Sequence, residues 1–198
     1  MRLIYLHGFR SSSRSFKARL LQARFADAGL AECLVAPDLP VEPAAAIAQV
    51  QREIRPTGAD TLVGSSLGGC YATWLAEQVG CKAVLLNPAV RPARDLASQV
   101  GPQTGYHDGQ PFEFRQAYVD QLRGYEVARI TRPARYFLIA AQGDEVLDWR
   151  EMVAHYPGAR LRVIPGGDHG LSDFADWIDE VLAFAGFGPE GMSKSTVG

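Results

Sequence analysis

Gly64-Ser65-Ser66-Leu67-Gly68 joins a β-branched, apolar run, Thr61-Leu62-Val63, to a helix-like run that starts at Leu67. The spacing Gly-x-Ser-x-Gly is that of a nucleophile elbow, a sharp strand-to-helix turn that lifts a serine hydroxyl above the end of a strand. The frame chooses between the serines. Ser66 has glycine at both offsets, Gly64 and Gly68, whereas Ser65 would need Val63 and Leu67 there. A side chain at either flanking position would crowd the incoming strand or the outgoing helix. The helix turns its free N–H groups and positive dipole end toward the hydroxyl. The Leu67 N–H is therefore a candidate donor to an oxyanion. Taken alone, five residues of this pattern also fit a glycine-rich turn with incidental serines.

A serine hydroxyl needs a base at neutral pH. The chain has four histidines, His7, His107, His155 and His169. In an elbow protein the partners follow the serine in the order acid, then histidine. His169, in PGGDHGLSDF, stands between the last strand-like run and the last helix-like run, where the base belongs. His155 reads as a surface or capping residue near a helix end. His107 falls in a long interval and is placed to line the mouth of a site. His7 reads as a structural histidine that fastens the loop after the first strand.

The acid should follow the fifth strand, in AAQGDEVLD. Asp144 comes first after the strand, where an orienting carboxylate would hold the His169 tautomer and stabilise the imidazolium. Glu145 and Asp148 compete, although Asp148 suits a helix cap. Asp168 adjoins His169, and neighbouring side chains on an extended loop diverge. A second oxyanion donor fits the loop after the first strand, Leu6-His7-Gly8-Phe9: Gly8 lets the backbone come close, and the Phe9 N–H would face the site. Phe112, Phe114, Tyr118 and Leu122 are candidates to roof an acyl pocket, against the plainer reading of a small helix packed on its own domain.

These residues need a frame. Short runs rich in Val, Leu, Ile, Tyr and Phe cover Arg2–Leu6, Cys33–Ala36, Asp60–Gly64, Lys82–Leu86, Ala134–Ala141 and Arg160–Ile164. Most lack strict alternation, as strands buried on both faces do. Between them lie helix-like segments at Ser15–Ala28, Pro43–Ile54, Leu67–Val79, Asp148–His155 and Ser172–Ala185, the last with Ser172 as its expected cap. Strand–helix repetition predicts a six-stranded, mostly parallel sheet with helices on both faces. Residues 1–187 are expected to form one domain, with a cap insertion over about 88–132. That interval has no strand signal and one helix-like stretch, Glu113–Arg123. The polar, Gly/Ser-containing residues 188–198 read as a flexible tail.

The 198 residues carry a formal charge of −2 with scattered Lys and Arg, which argues against a nucleic-acid or membrane-surface partner. No run approaches the roughly 20 apolar residues of a membrane span. Cys33, Cys70 and Cys81 fit neither a disulfide framework nor a zinc pattern. Reduced thiols in a cytoplasmic protein, with no metal and no cofactor, are the expectation. A P-loop is excluded, since Gly-x-x-x-x-Gly-Lys-Ser/Thr is absent.

Together YLHGFRSSSRSFKA, GSSLGGCYATWLAE, LLNPAV, GDEVLD and GGDHGLSDF resemble the small bacterial YqiA-like esterases of the α/β-hydrolase superfamily. The likeness runs to about residue 187. It implies a minimal α/β-hydrolase that cleaves carboxylic esters, extending to acyl thioesters such as acyl-CoA. It also implies Ser66 as nucleophile, Asp144 as acid and His169 as base. The expected partner is a small acyl ester or thioester, and the oligomeric state is left open. A protein of this fold that has lost catalysis and only binds is the rival from another class.

Overall fold

The computed structural model describes residues 1–188, so all but the first residue of the expected tail lies outside the described residues. In chain order the elements are β1 (Leu3–Leu6), α1 (Phe16–Asp27), β2 (Leu34–Val35), α2 (Pro43–Gln49), β3 (Thr61–Ser65), α3 (Leu67–Val79), β4 (Lys82–Leu86), α4 (Pro92–Asp95), β5 (Gly101–Thr104), β6 (Pro111–Phe114), α5 (Gln116–Arg123), β7 (Tyr136–Ala141), α6 (Trp149–His155), β8 (Arg160–Ile164) and α7 (Phe174–Ala185). Six strands form one sheet in the order β2-β1-β3-β4-β7-β8, and every neighbouring pair is parallel.

Alternate residues of each strand feed two cores. Ile4, Leu6 and Leu62 face α2, α3 and α5, while Leu3, Tyr5 and Val63 face α1 and α7. The central strands are buried on both sides, which is why their sequences lack alternation. The strand order reverses direction between β1 and β3, because β2 lies outside β1 and the chain then crosses to β3. The crevice beyond the carboxyl ends of two such strands is the natural site for a ligand in a parallel sheet. The loop holding Gly8 leaves β1 there, and Ser66 leaves β3.

Four sequence expectations change. The second strand shortens to Leu34–Val35 at the sheet edge. The helix from Pro43 ends as α-helix at Gln49 and continues as one wider turn, Val50–Ile54, closed by the Arg55 N–H on the Val50 carbonyl at 2.8 Å. Ser172 does not cap α7; its own N–H donates to Asp168 Oδ1 at 2.9 Å, and the helix begins two residues later. The interval 88–132 holds an antiparallel hairpin, β5 with β6, where no strand was expected. Two prolines hid it, and the Asp108-Gly109 pair between the strands is the hairpin signal that would have revealed it. By contrast Asp148 caps α6 as expected, accepting from the Arg150 N–H at 2.9 Å.

At the opposite end of the sheet, Asp60 ties β1 to β3. It accepts from the Arg2 N–H at 2.7 Å, Arg2 Nη2 at 2.9 Å and the Thr57 N–H at 2.9 Å. Burial alone would raise this carboxyl; the Arg2 and Thr57 hydrogen bonds outweigh it and hold it at about 2. A depressed carboxyl stabilises the fold above its unfolded pKa, near 4, and loses that effect as pH falls toward 2.

At the elbow, a Cβ on Gly68 would lie 2.0 Å from the Leu6 carbonyl oxygen, and one on Gly64 would lie 2.2 Å from that of Gly68. Both obstacles are backbone, so no rotamer change relieves them. Gly68→Ala should cost on the order of 3 kcal/mol, read as a lower urea midpoint; an unchanged midpoint would refute the close packing. Asp60→Asn should cost about 2 kcal/mol at pH 7. Urea titrations at successive pH values should show that gap narrowing between pH 4 and 2, and a gap constant with pH would contradict the ion-pair account.

Candidate active site

Ser66 takes φ 54° and ψ −119°, a conformation that costs a non-glycine residue of order 1–3 kcal/mol. Its backbone is held in place from several directions. The Ser66 N–H donates to the Leu86 carbonyl at 3.0 Å, and its carbonyl accepts from Gly69 at 2.9 Å and Ala89 at 3.0 Å. β4 and the turn after it thus clamp the elbow, and the hydroxyl is left facing the loop that follows β8.

His169 is on that loop. Its Nε2 lies 3.0 Å from Ser66 Oγ, and its Nδ1 lies 2.8 Å from Asp144 Oδ2. The Asp144 side chain is fully buried. Its other oxygen accepts from the Val146 and Leu147 N–H groups, both at 2.8 Å. With Asp144 as the acceptor, Nδ1–H is the donor and Nε2 is free to accept from the serine. Ser66, Asp144 and His169, the first and last of them 103 residues apart, are brought into one hydrogen-bonded line.

The loops that carry Asp144 and His169 meet backbone to backbone. The Gly143 N–H donates to the Gly166 carbonyl at 2.7 Å, and a Cβ on Gly143 would stand 2.3 Å from the Gly167 carbonyl oxygen. The rivals to Asp144 have other work. Glu145 Oε2 accepts from the His169 N–H at 3.0 Å, Asp148 caps α6, and Asp168 Oδ1 accepts from Ser172. Asn87 escaped the sequence reading. It is wholly buried, with φ 42°, at the end of β4. Its Nδ2 donates to the Asp168 carbonyl at 2.9 Å and the His169 carbonyl at 3.2 Å, while its Oδ1 accepts from Ala141 at 2.8 Å. One amide thereby joins the end of β7 to the histidine loop. A polar residue ending the apolar run Ala83–Leu86 was its only signal.

The loop after β1 lies against the elbow: a Cβ on Gly8 would be 3.1 Å from Ser66 Cβ and 3.7 Å from its Oγ. Phe9 follows in the same loop and Leu67 opens α3, and neither backbone N–H has an acceptor among the described residues. His7 anchors the loop, as expected. Its Nε2 accepts from the Leu39 N–H at 2.9 Å, which places the ring proton on Nδ1, 2.9 Å from the Gly8 carbonyl. Burial lowers the His7 pKa, with nearby His107 also lowering it, against the opposing pull of the Gly8 hydrogen bond and Asp38.

A cavity of about 300 Å³ opens beside this loop. Phe9, Leu39, Leu67 and Phe112 give it apolar walls, and Arg10, Arg14, Asp38 and His107 make its rim polar. Ser66 and His169 do not line it; it meets them through Gly8, Phe9 and Leu67. Of the aromatic residues proposed to roof a pocket, only Phe112 lines this one. Phe114 sits in β6, not on the helix, and is fully buried between Phe9 at 4.8 Å and Tyr118 at 5.8 Å. Leu122 is likewise in the core. The shared spacing of these residues reflects packing of the insertion onto the domain. His155 ends α6 beside Tyr156, away from the serine line. Among the described residues no group of His, Cys, Asp and Glu could hold a metal ion, and no helix is long and apolar enough to cross a membrane.

Comparison with solved structures shows the α/β-hydrolase fold. A protein of Agrobacterium vitis S4 superposes with a TM-score of 0.72 at 20% identity, covering 93% of this chain and 87% of its own. The mouse alpha/beta hydrolase domain-containing protein 10 gives 0.62 at 16% identity, covering 91% and 89%. The esterase domain of a Rhodothermus marinus protein gives 0.59 at 22% identity, covering 91% and 84%. Residues 2–186 match the family described as "Uncharacterised protein family (UPF0227)". With nearly its whole length matched, the chain belongs to UPF0227, the YqiA-like family, and it carries the α/β-hydrolase fold.

Proposed function

We propose that this protein is a serine hydrolase that cleaves carboxylic esters of short or medium acyl chains through an acyl-enzyme. The observation that carries this reading is the line from Ser66 Oγ to His169 Nε2, 3.0 Å, and from His169 Nδ1 to Asp144, 2.8 Å. Ser66 attacks the ester carbonyl as its proton passes to Nε2. The Asp144 carboxylate holds the ring in the accepting tautomer and stabilises the imidazolium that results. Charge that develops on the carbonyl oxygen is met by the Phe9 and Leu67 N–H groups, which need no rearrangement to receive it. His169 then gives its proton to the leaving alcohol. A water, activated by the same imidazole, releases the acid and restores the hydroxyl.

The cavity beside Gly8 and Phe9 is the space that the proposed substrate would fill. Its size suits a compact acyl group, with Phe112 on its wall. A thioester such as an acyl-CoA is served by the same chemistry, since the attacked carbonyl is the same. The esterase domain among the solved structures shares the fold at 22% identity, which supports the reaction class without specifying a substrate.

Ser66→Ala should lower kcat for 4-nitrophenyl butyrate by on the order of 10⁴ to 10⁶ and abolish labelling by a fluorophosphonate probe. A folded wild-type protein that takes no label would favour a binding role instead. Asp144→Asn should leave the fold intact and lower kcat by about 10⁴, because the amide can hold the wrong tautomer. A loss below tenfold would remove Asp144 from the mechanism. Parallel assays with butyryl-CoA separate ester from thioester preference.

A further inference from the structure

α1 carries a lysine that is buried. Lys17 is only 8% exposed, and its ammonium donates to the carbonyl of Gly170, the residue after His169. Asp168, the residue before His169, attracts it through space. An ammonium is a costly group to bury, and an apolar side chain would fill the same space at less cost. Its value lies in what it touches. From side chains outside it the histidine loop has three ties: Asn87 holds the carbonyls of Asp168 and His169, Glu145 holds the His169 N–H, and Lys17 holds the Gly170 carbonyl. Just beyond the last tie, Leu171 has φ 46°, so the backbone there is strained and must be restrained to keep its path.

We propose that Lys17 is a positioning residue for the hydrolase reaction set out above: its charged ammonium holds the Gly170 carbonyl and attracts Asp168 through space, so that the His169 imidazole stays within reach of Ser66. The inference rests on that reading. Asp168 is the charged group that faces Lys17. At α7, the helix packed on α1, Asp173 just before the helix accepts from the Trp177 indole, Asp179 is engaged by Arg24, and Glu180 by Arg160 and Arg162. Burial pushes the Lys17 ammonium down to about 8, against the pull of Asp168. Above that pH the charge that attracts Asp168 and strengthens the bond to the Gly170 carbonyl is lost, and the loop is held less firmly.

Activity and stability then respond oppositely to alkali. In the unfolded chain a lysine keeps its proton to about pH 10.4. Between about 8 and that value the unfolded chain binds more protons than the folded one at this residue, so this group's contribution to stability rises with pH. A fall in turnover over the same range is therefore not unfolding driven by Lys17.

The test measures kcat and KM for 4-nitrophenyl butyrate from pH 6 to 10, with fluorophosphonate labelling rates and urea midpoints at each pH. Wild-type kcat should fall above about pH 8 while the midpoint does not. Lys17→Arg, which keeps its charge, should remove that fall. Lys17→Met should lower kcat at pH 7 by about 10- to 100-fold, the scale of a small misplacement of a reacting group, with KM within threefold. A Lys17→Met enzyme within twofold of wild type in kcat, or a Lys17→Arg enzyme with the wild-type alkaline fall, overturns the role of Lys17 alone. A wild-type protein that neither turns over ester nor takes label overturns the hydrolase reading, and this proposal with it.

Discussion

The site depends on one close approach. The first turn of α3 crosses the end of β1 with no room for a side chain between them, so Gly68 rests on the Leu6 carbonyl and Gly64 on Gly68. This contact presses the turn between β3 and α3 into the strained backbone seen at Ser66. Strain of that kind persists only where surrounding structure over-determines it. Here Leu86, Gly69 and Ala89 do so by binding both polar groups of the Ser66 backbone. The hydroxyl is therefore held outward, toward the loop that carries His169.

The other partners reach Ser66 by a different device. His169 and Asp144 ride on loops, which are mobile by default. These loops are tied down at the sheet end by the buried Asn87 between β7 and the histidine loop, by the exposed Glu145 on the His169 N–H, and by the paired backbones of Gly143 and Gly166. A buried polar group left unpaired costs more than a paired one returns. Such a network holds one arrangement of loops and penalises others.

The insertion between β4 and β7 has a double nature. Its helix α5 is part of the main core through Val119 and Leu122, and Gln121 meets α2 by accepting from Ala44 at 3.0 Å and donating to Glu42 at 2.9 Å. Its hairpin leans on the loop after β1: Arg10 Nε donates to the Thr104 carbonyl at 2.8 Å, the Arg10 carbonyl accepts from Tyr106 at 2.8 Å, and Phe9 stacks against Phe112 and Phe114. The cavity wall and one of the proposed oxyanion donors are thus coupled through the same two residues, Phe9 and Arg10.

The strands, most helices and the elbow were legible because each is dictated locally. Continuous apolar runs mark strands buried on both faces, and the Gly64–Gly68 spacing marks a turn with no space for side chains. Asp144 and His169 could be nominated, since a parallel sheet orders its loops along the chain. The hairpin was hidden because prolines and polar residues on a small two-stranded ribbon mask its pattern. The aromatic stripe misled because spacing alone cannot distinguish a wall of a cavity from the core behind it; Phe112 and Phe114 share a face of β6, yet Phe114 is fully buried and Phe112 only partly. Glu145, Asn87 and Lys17 gave no local signal of their roles, since each acts on a carbonyl or N–H from a distant segment. Residue types and spacing determined which groups have the chemistry, and only packing of the sheet, whose strand order brings residues 8, 66, 144 and 169 to one edge, decided which of them meet.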